Sequence, residues 1–325
     1  MTDARAFAYA PTLTESDDRN HEAGEQAHWQ ESSLVTFSDA KNGLAGFHRI
    51  GIHPNRKEAS IYSWTQVGGK MVSQAKRTGL PLPIGDVTGT TLEGVTFTTP
   101  DPLRKCRIQV DRDGVKTDVI FESYTGPVQM NMDIGGASIG KGHYDSLGRV
   151  MGSIEADGVS NAFDGVGFLD HSWGARDGGG ILAHRWIMAV LDESNHINTF
   201  PTWGARGRMI LGYMVLDGVF SFVVDVKSEV HVADDPLCLN GIHAIITDKL
   251  GRTRELHGRG VGEYSVQPYG QGYFCAHKPM IYECQGRAWR GMVEWSSMRF
   301  IPPWHRDRLG LTKDNEWLQW TGQQP

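Results

Sequence analysis

The sequence predicts an all-β protein made of antiparallel sheets, and two observations carry this prediction. Short segments in which apolar and polar residues alternate with a period of two follow one another along most of the chain. Turn signals separate these segments, and long runs with helical periodicity are hard to find. The 40 glycines and the aromatic content of 10% fit this pattern. Regularly spaced short strands are typical of β-sandwiches and β-barrels.

Individual strands can be assigned in both halves of the chain. The clearest hairpin turns are residues 111–114 and Asp217-Gly218, because Asp-Gly pairs readily adopt the tight turns that join antiparallel strands. The predicted strands span residues 45–53, 59–67, 95–99, 106–110, 118–124, 150–156, 166–173, 181–191, 209–216, 220–226, 244–248 and 291–295.

The length of 325 residues predicts about two domains. Residues 1–28 are polar and lack clear periodicity, so we expect them to form an N-terminal arm. A boundary near Asp157-Gly158 divides the remainder into an N-terminal domain, residues 29–158, and a C-terminal domain, residues 159–325.

Charge and hydropathy narrow the class of partner. The formal net charge of −6, without a Lys/Arg cluster, argues against a nucleic-acid partner. No stretch reaches the ~18 consecutive apolar residues of a membrane span, and the N-terminus lacks the apolar core of a secretory signal. We therefore expect a cytoplasmic protein with no integral membrane association. The four scattered cysteines are expected to be free thiols, with a Cys275–Cys284 disulfide as the alternative.

The segment GVGFLDHSWGARDGGG, residues 165–180, contains several side chains that can act in acid/base catalysis or ligand binding. Alternation along a strand puts His171 and Trp173 on one face and Asp170 on the other. In an apolar site, desolvation would raise the pKa of Asp170 and make it a proton donor near neutral pH. The alternative is a structural aspartate that accepts backbone hydrogen bonds or pairs with Arg176 or Arg185.

The next predicted strand, residues 181–190, carries a second histidine. Its alternation puts three side chains on one face: His184, Trp186 and Met188. If a tight turn joins the two strands, His171 faces His184 and both rings lie in a lipophilic cavity. They are then acid/base candidates. Zinc ligation by His171, His184 and His196 is the alternative, although the spacing matches no standard zinc pattern.

Two longer segments resemble a known superfamily. HYDSLGRVMGSIEADG, from residue 143, and FDGVGFLDHSWGARD, from residue 163, resemble the lipocalin-like superfamily of carotenoid 1,2-hydratases, AttH-type proteins and tocopherol-cyclase-like proteins. Its Asp-His-x-Trp-Gly core corresponds to Asp170, His171, Trp173 and Gly174. Within it, the chain resembles a bacterial branch with the motif Asp-His-Ser-Trp-Gly-x-Arg-Asp, and GLAGFHRIGIHPN and GMVEW also resemble that branch.

The resemblance implies two packed lipocalin-like antiparallel β-barrel domains with little helix and no organic cofactor. Characterised relatives protonate isoprenoid double bonds to add water or close rings, and fungal relatives catalyse Diels–Alder cyclisations. Together, the strand pattern and the resemblance nominate catalytic candidates, which are Asp170, His171, His184 and Arg176. They also nominate substrate-binding candidates, which are Trp173, Trp186, Met188, Tyr144 and His143. No metal is assigned to this site.

The resulting hypothesis is a cofactor-independent lyase or isomerase, such as a hydratase or cyclase, that transfers a proton to a C=C bond. Its expected partner is a lipophilic small molecule such as a terpenoid, a steroid or a polycyclic aromatic, and a homodimer is left open. Asp170 or a neighbouring histidine is the expected donor. One alternative is a lipocalin-like carrier of hydrophobic metabolites without chemistry, and another is a metal-dependent lyase or hydrolase.

Overall fold

The computed structural model describes residues 7–130, 133–134, 137–138, 140–175, 181–204, 207–232, 239–269 and 273–298. It confirms the all-β prediction, because antiparallel strands make up nearly all of the regular structure in this part of the chain. The chain divides into two compact units, Met1–Gly178 and Gly179–Pro325. None of the described helices has the length and hydropathy needed to span a bilayer.

Unit 1 is built on one curled, eleven-stranded sheet. Two 3₁₀ turns accompany it, η1 (Glu15–Asp18) and η2 (Pro54–Arg56). The strands are β1 (Trp29–Asp39), β2 (Leu44–His53), β3 (Glu58–Val67), β4 (Lys70–Pro81), β5 (Thr91–Leu92), β6 (Val95–Asp101), β7 (Lys105–Arg112), β8 (Val115–Ser123), β9 (Val128–Gln129), β10 (Asp133–Ile134), β11 (Ala137–Ser138), β12 (Gly142–Ala156) and β13 (Val159–Ala175). Their order is β4-β3-β2-β1-β13-β12-β8-β7-β6-β5, with β9 also on β12 and β10-β11 forming a separate ribbon.

Unit 2 is a closed barrel of eight strands. Its strands are β14 (Ile181–Asp192), β15 (Asn195–Gly204), β16 (Gly207–Leu216), β17 (Val219–Val232), β18 (Leu239–Asp248), β19 (Thr253–Gly260), β20 (Ser265–Tyr269), β21 (Tyr273–Cys284) and β22 (Arg287–Met298). They run in the order β19-β18-β17-β16-β15-β14-β22-β21, and pairing of β21 with β19 closes the barrel while β20 adds to β21. Closure removes the exposed edges that an open sheet would leave.

The predicted hairpin turns form as expected. Asp113 and Gly114, between β7 and β8, have φ of 52° and 77°, and Asp217 and Gly218, between β16 and β17, have φ of 53° and 76°. Positive φ at both central residues defines the turn type whose twist matches antiparallel strands. Cys106, Cys275 and Cys284 are free, so the expected thiols are confirmed at these three positions, and Cys238 lies outside the described residues.

The domain boundary differs from the sequence prediction. Asp157 and Gly158 form the tight turn between β12 and β13, with φ of 51° and 75°, and the chain instead divides after Gly178. The two strands pair without interruption from Ala156–Val159 to Gly142–Trp173, so β13 belongs to unit 1. The predicted arm also belongs there, because its apolar side chains Phe7, Ala10 and Leu13 are buried in the core of unit 1.

The predicted pairing of His171 with His184 is wrong. Strand β13 is hydrogen-bonded to β1 along one edge and to β12 along the other, so neither edge is available to β14. His171 lies opposite Ser33 and Tyr144. His184 belongs to unit 2, where β14 pairs with β15 and β22.

The pairing of β14 with β22 makes Gly291 a sensitive position. A Cβ atom there would lie 1.9 Å from the backbone oxygen of Met188, on the neighbouring strand. We expect Gly291→Ala to lower the free energy of unfolding by about 1–3 kcal/mol, because relief of this overlap must displace paired backbone. Urea denaturation measures the loss. Ala288→Val, at an exposed position of β22, is the control and should change stability by less than ~0.5 kcal/mol. An unchanged midpoint for Gly291→Ala would contradict this packing.

Candidate functional site

The central strands β1, β13 and β12 of unit 1 hold most of the residues that the sequence nominated. Their register shows no bulge between residues 166 and 173, so alternation proceeds as in a regular strand. His171 and Trp173 therefore share one face with Leu169, and Asp170 lies on the other face. Leu169 and Trp173 belong to the apolar core of unit 1, which identifies the His171 face as the inner one.

Three residues on the inner side form what we call the inner histidine cluster: His21, Glu31 and His171. Glu31 Oε1 lies 2.6 Å from His171 Nε2 and 3.0 Å from His21 Nδ1. The backbone N–H of His21 donates to the other carboxylate oxygen at 3.0 Å. On its far side, His171 Nδ1 lies 2.9 Å from the hydroxyl of Ser33. One buried carboxylate thus orients two imidazole rings.

The inner histidine cluster reaches the surface on one side. His21 Nε2 lies 3.1 Å from Asp17 Oδ1, and both side chains are 21% exposed, whereas those of Glu31 and His171 are 2% and 1% exposed. Asp17 is held at the start of η1, because the backbone N–H and hydroxyl of Thr14 both donate to its other oxygen. Asp17, His21, Glu31 and His171 therefore form a continuous chain from solvent to the core.

The charges of His21 and Glu31 stabilise each other. Burial opposes the charge of His21, but hydrogen bonds and attraction from Glu31 and Asp17 outweigh it and raise its pKa above the ordinary 6.5. Burial likewise opposes the charge of Glu31, yet hydrogen bonds from His171 and His21 hold its pKa below the ordinary 4.5. His21 consequently keeps its proton to a higher pH than a free histidine does.

Aromatic rings surround the two histidines. The His21 ring stacks on Trp173 at 3.8 Å between centroids, and the His171 ring lies parallel to Tyr144 at 5.5 Å. The Tyr144 hydroxyl donates to the buried Asp18. Burial, followed by the nearby negative charge of Asp18, raises the pKa of Tyr144 well above its usual range, so the phenol stays neutral. The structure thus brings together His171, Trp173 and Tyr144 from the predicted site.

The opposite face of β12 and β13 carries a second cluster, which we call the outer triad: His143, Asp145 and Asp170. His143 Nε2 lies 2.6 Å from Asp145 Oδ1, and Nδ1 lies 3.2 Å from Asp170 Oδ2. All three side chains are less than 10% exposed. Asp145 and Asp170 are directly opposite in the register, so His143 separates two carboxylates that would otherwise repel each other.

The predicted site residues His184, Trp186 and Met188 lie together in unit 2. They share one face of β14, as alternation predicted, and all three are buried. The Trp186 indole N–H donates to Asn198 at 2.9 Å, and its ring meets Phe200 edge-on at 5.1 Å. Arg176 lies outside the described residues.

A carboxylate and a second histidine, neither nominated from the sequence, accompany His184. Glu294 is buried between His184 and His277 and hydrogen-bonded to both. Burial lowers the pKa of His184, and attraction from Glu294 offsets this only in part. Burial opposes the charge of Glu294, but His277 and His184 hold its pKa well below its usual range.

Asp170 and Arg185, which the sequence suggested as partners, belong to different units. Asp170 pairs with His143, while Arg185 is fully buried in unit 2 with its guanidinium over Trp295 and Trp203.

The alternative prediction of zinc ligation by His171, His184 and His196 is wrong. Thr202 lies opposite His184 and Val190 opposite His196, which separates the two histidines by roughly 20 Å along the strands. Burial lowers the pKa of His196 to about 4.

Several of the clustered residues were missed from the sequence. In the segment WQESSLVTF, alternation puts Glu31 on the same face as Trp29 and Val35, and a carboxylate flanked by core residues was a readable signal. His21 and Asp17 lie outside any periodic segment, so no pattern indicated them. Among the described residues, four groups have ligand-type atoms within 4.8 Å of one another. These are His21–Glu31–His171, His143–Asp145–Asp170, His184–Cys275–Glu294 and the exposed His243–Glu255–His257.

A closed eight-stranded antiparallel barrel and a curled sheet, with histidine–carboxylate clusters on their strands, give this protein a lipocalin-like fold. Residues 14–299 match the family described as a domain of unknown function, DUF7064, and the chain belongs to that family. No protein with a curated function matches the chain significantly.

Solved structures show the same fold at low sequence identity. An AttH-like protein from Nitrosomonas europaea is 12% identical with a TM-score of 0.65, and the match covers 91% of this chain and 98% of that one. Kievitone hydratase from Nectria haematococca is 11% identical with a TM-score of 0.59, covering 91% and 96%. CghA, solved with Sch210972, is 10% identical with a TM-score of 0.57, covering 84% and 89%. At such identities the likeness is one of fold.

Proposed function

We propose that this protein is a hydratase- or cyclase-type enzyme that transfers a proton to a hydrophobic small molecule, with His21 as the donor. The observation that carries the proposal is the chain from Asp17 through His21 and Glu31 to His171, which links solvent to an apolar core. The name of one structural neighbour, kievitone hydratase, favours this class of reaction.

The donor role falls on His21 because this ring combines a raised pKa with partial exposure. In the proposed step, the proton at His21 Nε2 leaves its contact with Asp17 Oδ1 and passes to a carbon of a C=C bond, which leaves a carbocation on the substrate. Water or an internal nucleophile then forms the new bond, and the released proton returns to His21. A positioned general acid supplies typically ~100- to 10,000-fold in rate. Asp170, one of the donors expected from the sequence, lies on the other face, 3.2 Å from His143.

The neighbours of His21 have positioning roles in this proposal. The Glu31 carboxylate contacts the His21 ring and accepts a hydrogen bond from the His21 backbone N–H, and His171 fixes Glu31 in turn. Trp173 stacks on His21 and fixes the plane of the donor ring.

The test is a screen for solvent-derived hydrogen in products. The purified protein is incubated in D₂O with a panel of prenylated phenols, terpenoid alkenes and polyenes, and products are detected by mass spectrometry. We expect at least one substrate to gain the mass of one D₂O or to form an isomer that carries deuterium. His21→Asn should lower this rate at least ~100-fold. The rate of the wild type should also fall as the pH rises above the raised pKa of His21.

His28→Asn is the matched control, because His28 is an exposed histidine in the same segment and should leave the rate unchanged. Full activity of His21→Asn would overturn the assignment of the donor. Tight binding of panel members without any conversion would favour the lipocalin-like carrier over the enzyme.

A further inference from the structure

Unit 2 contains a cluster of metal-ligand side chains that the proposed function does not use. It lies on three adjacent strands, with His184 on β14, Cys275 and His277 on β21, and Glu294 on β22. In the register, Ser296 of β22 lies opposite both His184 and Cys275, and Glu294 lies opposite His277. Because residues opposite each other in a sheet point to the same face, all of these side chains share one face.

This face is the one turned away from the apolar core of unit 2. The core takes the alternate residues of the same strands, such as Val293, Trp295 and Ala276. The cluster is nevertheless buried, with 4% of Cys275, 5% of His184 and 7% of Glu294 exposed. Their donor atoms, an imidazole nitrogen, a sulfur and a carboxylate oxygen, all lie within 4.8 Å of one another.

We infer that His184, Cys275 and Glu294 form a binding site for a divalent transition metal ion, with Zn²⁺ as the ion that fits the donors best. Nitrogen, sulfur and oxygen donors at this spacing are the ligands of tetrahedral Zn²⁺, with bond lengths of ~2.0–2.3 Å. Three protein ligands leave the fourth tetrahedral position to a non-protein donor. The hard cations Mg²⁺ and Ca²⁺ take oxygen ligands and do not suit this set.

Two neighbouring groups are placed as outer partners of the ligands. His184 Nδ1 lies 2.7 Å from the Ser296 hydroxyl, which orients the ring so that Nε2 faces Glu294. His277 contacts the other oxygen of Glu294 and leaves Oε1 on the side of His184. Groups that orient metal ligands in this way are a regular part of metal sites.

The sulfur atom distinguishes this cluster from the other three. The inner histidine cluster, the outer triad and His243–Glu255–His257 contain only nitrogen and oxygen donors. Binding at Cys275 exchanges the thiol proton for the metal ion and releases the proton to solvent. A spectroscopic signal of the metal–thiolate bond therefore reports on this site without interference from the other three.

The experiment uses Co²⁺ as a probe on the full-length protein after treatment with EDTA. We expect one Co²⁺ to bind per chain with a thiolate-to-cobalt charge-transfer band in the near-ultraviolet, and Zn²⁺ to displace it. Cys275→Ser should abolish that band. Glu294→Gln and His184→Gln should weaken binding, and His277→Gln should weaken it by ~10- to 100-fold through the orientation of Glu294.

Cys284→Ser is the matched control, since Cys284 is a buried cysteine on the same strand that faces the core instead. It should leave the band and the affinity unchanged. Circular dichroism of each metal-free variant shows whether it is folded, and Glu294→Gln and His184→Gln provide the test if Cys275→Ser is not. Failure of the wild type to bind Co²⁺ stoichiometrically, or a charge-transfer band that survives in folded Cys275→Ser, would overturn the inference.

Discussion

Replacement of Glu31 by alanine is expected to lower the free energy of unfolding by about 3–5 kcal/mol, the usual cost of removing one partner from a buried ion pair. Glu31 is 2% exposed and holds both His21 and His171. Without it, two imidazole rings lose their shared acceptor in a site that water does not reach freely. Chemical denaturation of Glu31→Ala and wild type measures the loss.

The exposed group His243–Glu255–His257 provides a matched control for this substitution. Glu255 lies 2.8 Å from His243 and 3.4 Å from His257, but its side chain is 54% exposed. Glu255→Ala removes the same kind of carboxylate from between two histidines in water, so its cost should be only about 0–1 kcal/mol. Equal losses for the two variants would contradict the importance of burial at Glu31.

The effect of Glu31→Ala should depend on pH in a defined window. The pKa of His21 is raised in the folded protein, so its pairing contributes fully below 6.5 and is lost as the pH rises through the folded pKa. The pKa of Glu31 is lowered, so its contribution is present above 4.5 and is lost as the pH falls through the folded pKa. The loss is therefore greatest between pH 4.5 and 6.5. Denaturation curves of Glu31→Ala and wild type at pH values below, within and above this range measure how the loss depends on pH.

The second large effect is expected for His143→Ala in the outer triad. This change leaves Asp145 and Asp170 directly opposite each other, buried and without the ring that separates them. We expect a loss of about 3–5 kcal/mol in the free energy of unfolding, because a buried charge becomes uncompensated. Thermal and chemical denaturation measure it.

The double variant His143→Ala/Asp145→Asn distinguishes charge repulsion from loss of packing. Removal of one carboxylate should recover part of the stability, with a coupling energy of about 0.5–3 kcal/mol between the two positions. His28→Ala, at an exposed site, should be close to neutral. If the two substitutions are instead simply additive, charge repulsion between Asp145 and Asp170 does not account for the loss of stability.

Local features of the fold could be predicted well. The alternating segments became strands, and Asp113-Gly114 and Asp217-Gly218 became tight turns, because both signals act within a few residues. The pair Asp157-Gly158 carries the same turn signal and joins β12 to β13, so the sequence itself indicated a tight turn there and not a domain boundary. The prediction of a hairpin between residues 166–173 and 181–190 was wrong, because strands that follow each other in the sequence need not pair.

The candidate site was predicted only in part, for the same reason. Alternation correctly separated Asp170 from His171 and Trp173, and each face then acquired its own partners. The partners themselves, Glu31 for His171 and Glu294 for His184, lie 140 and 110 residues away along the chain. No local pattern connects residues at such distances.

The sequence by itself determined the all-β class, most strands and turns, and which side chains share a face of each strand. These properties follow from backbone geometry and from interactions between near neighbours. Only the tertiary structure decided that β1 lies beside β13 and β22 beside β14, and hence which histidine meets which carboxylate. The physical reason is that strand pairing depends on the burial and closure of whole sheets, and these involve residues that are far apart in the sequence.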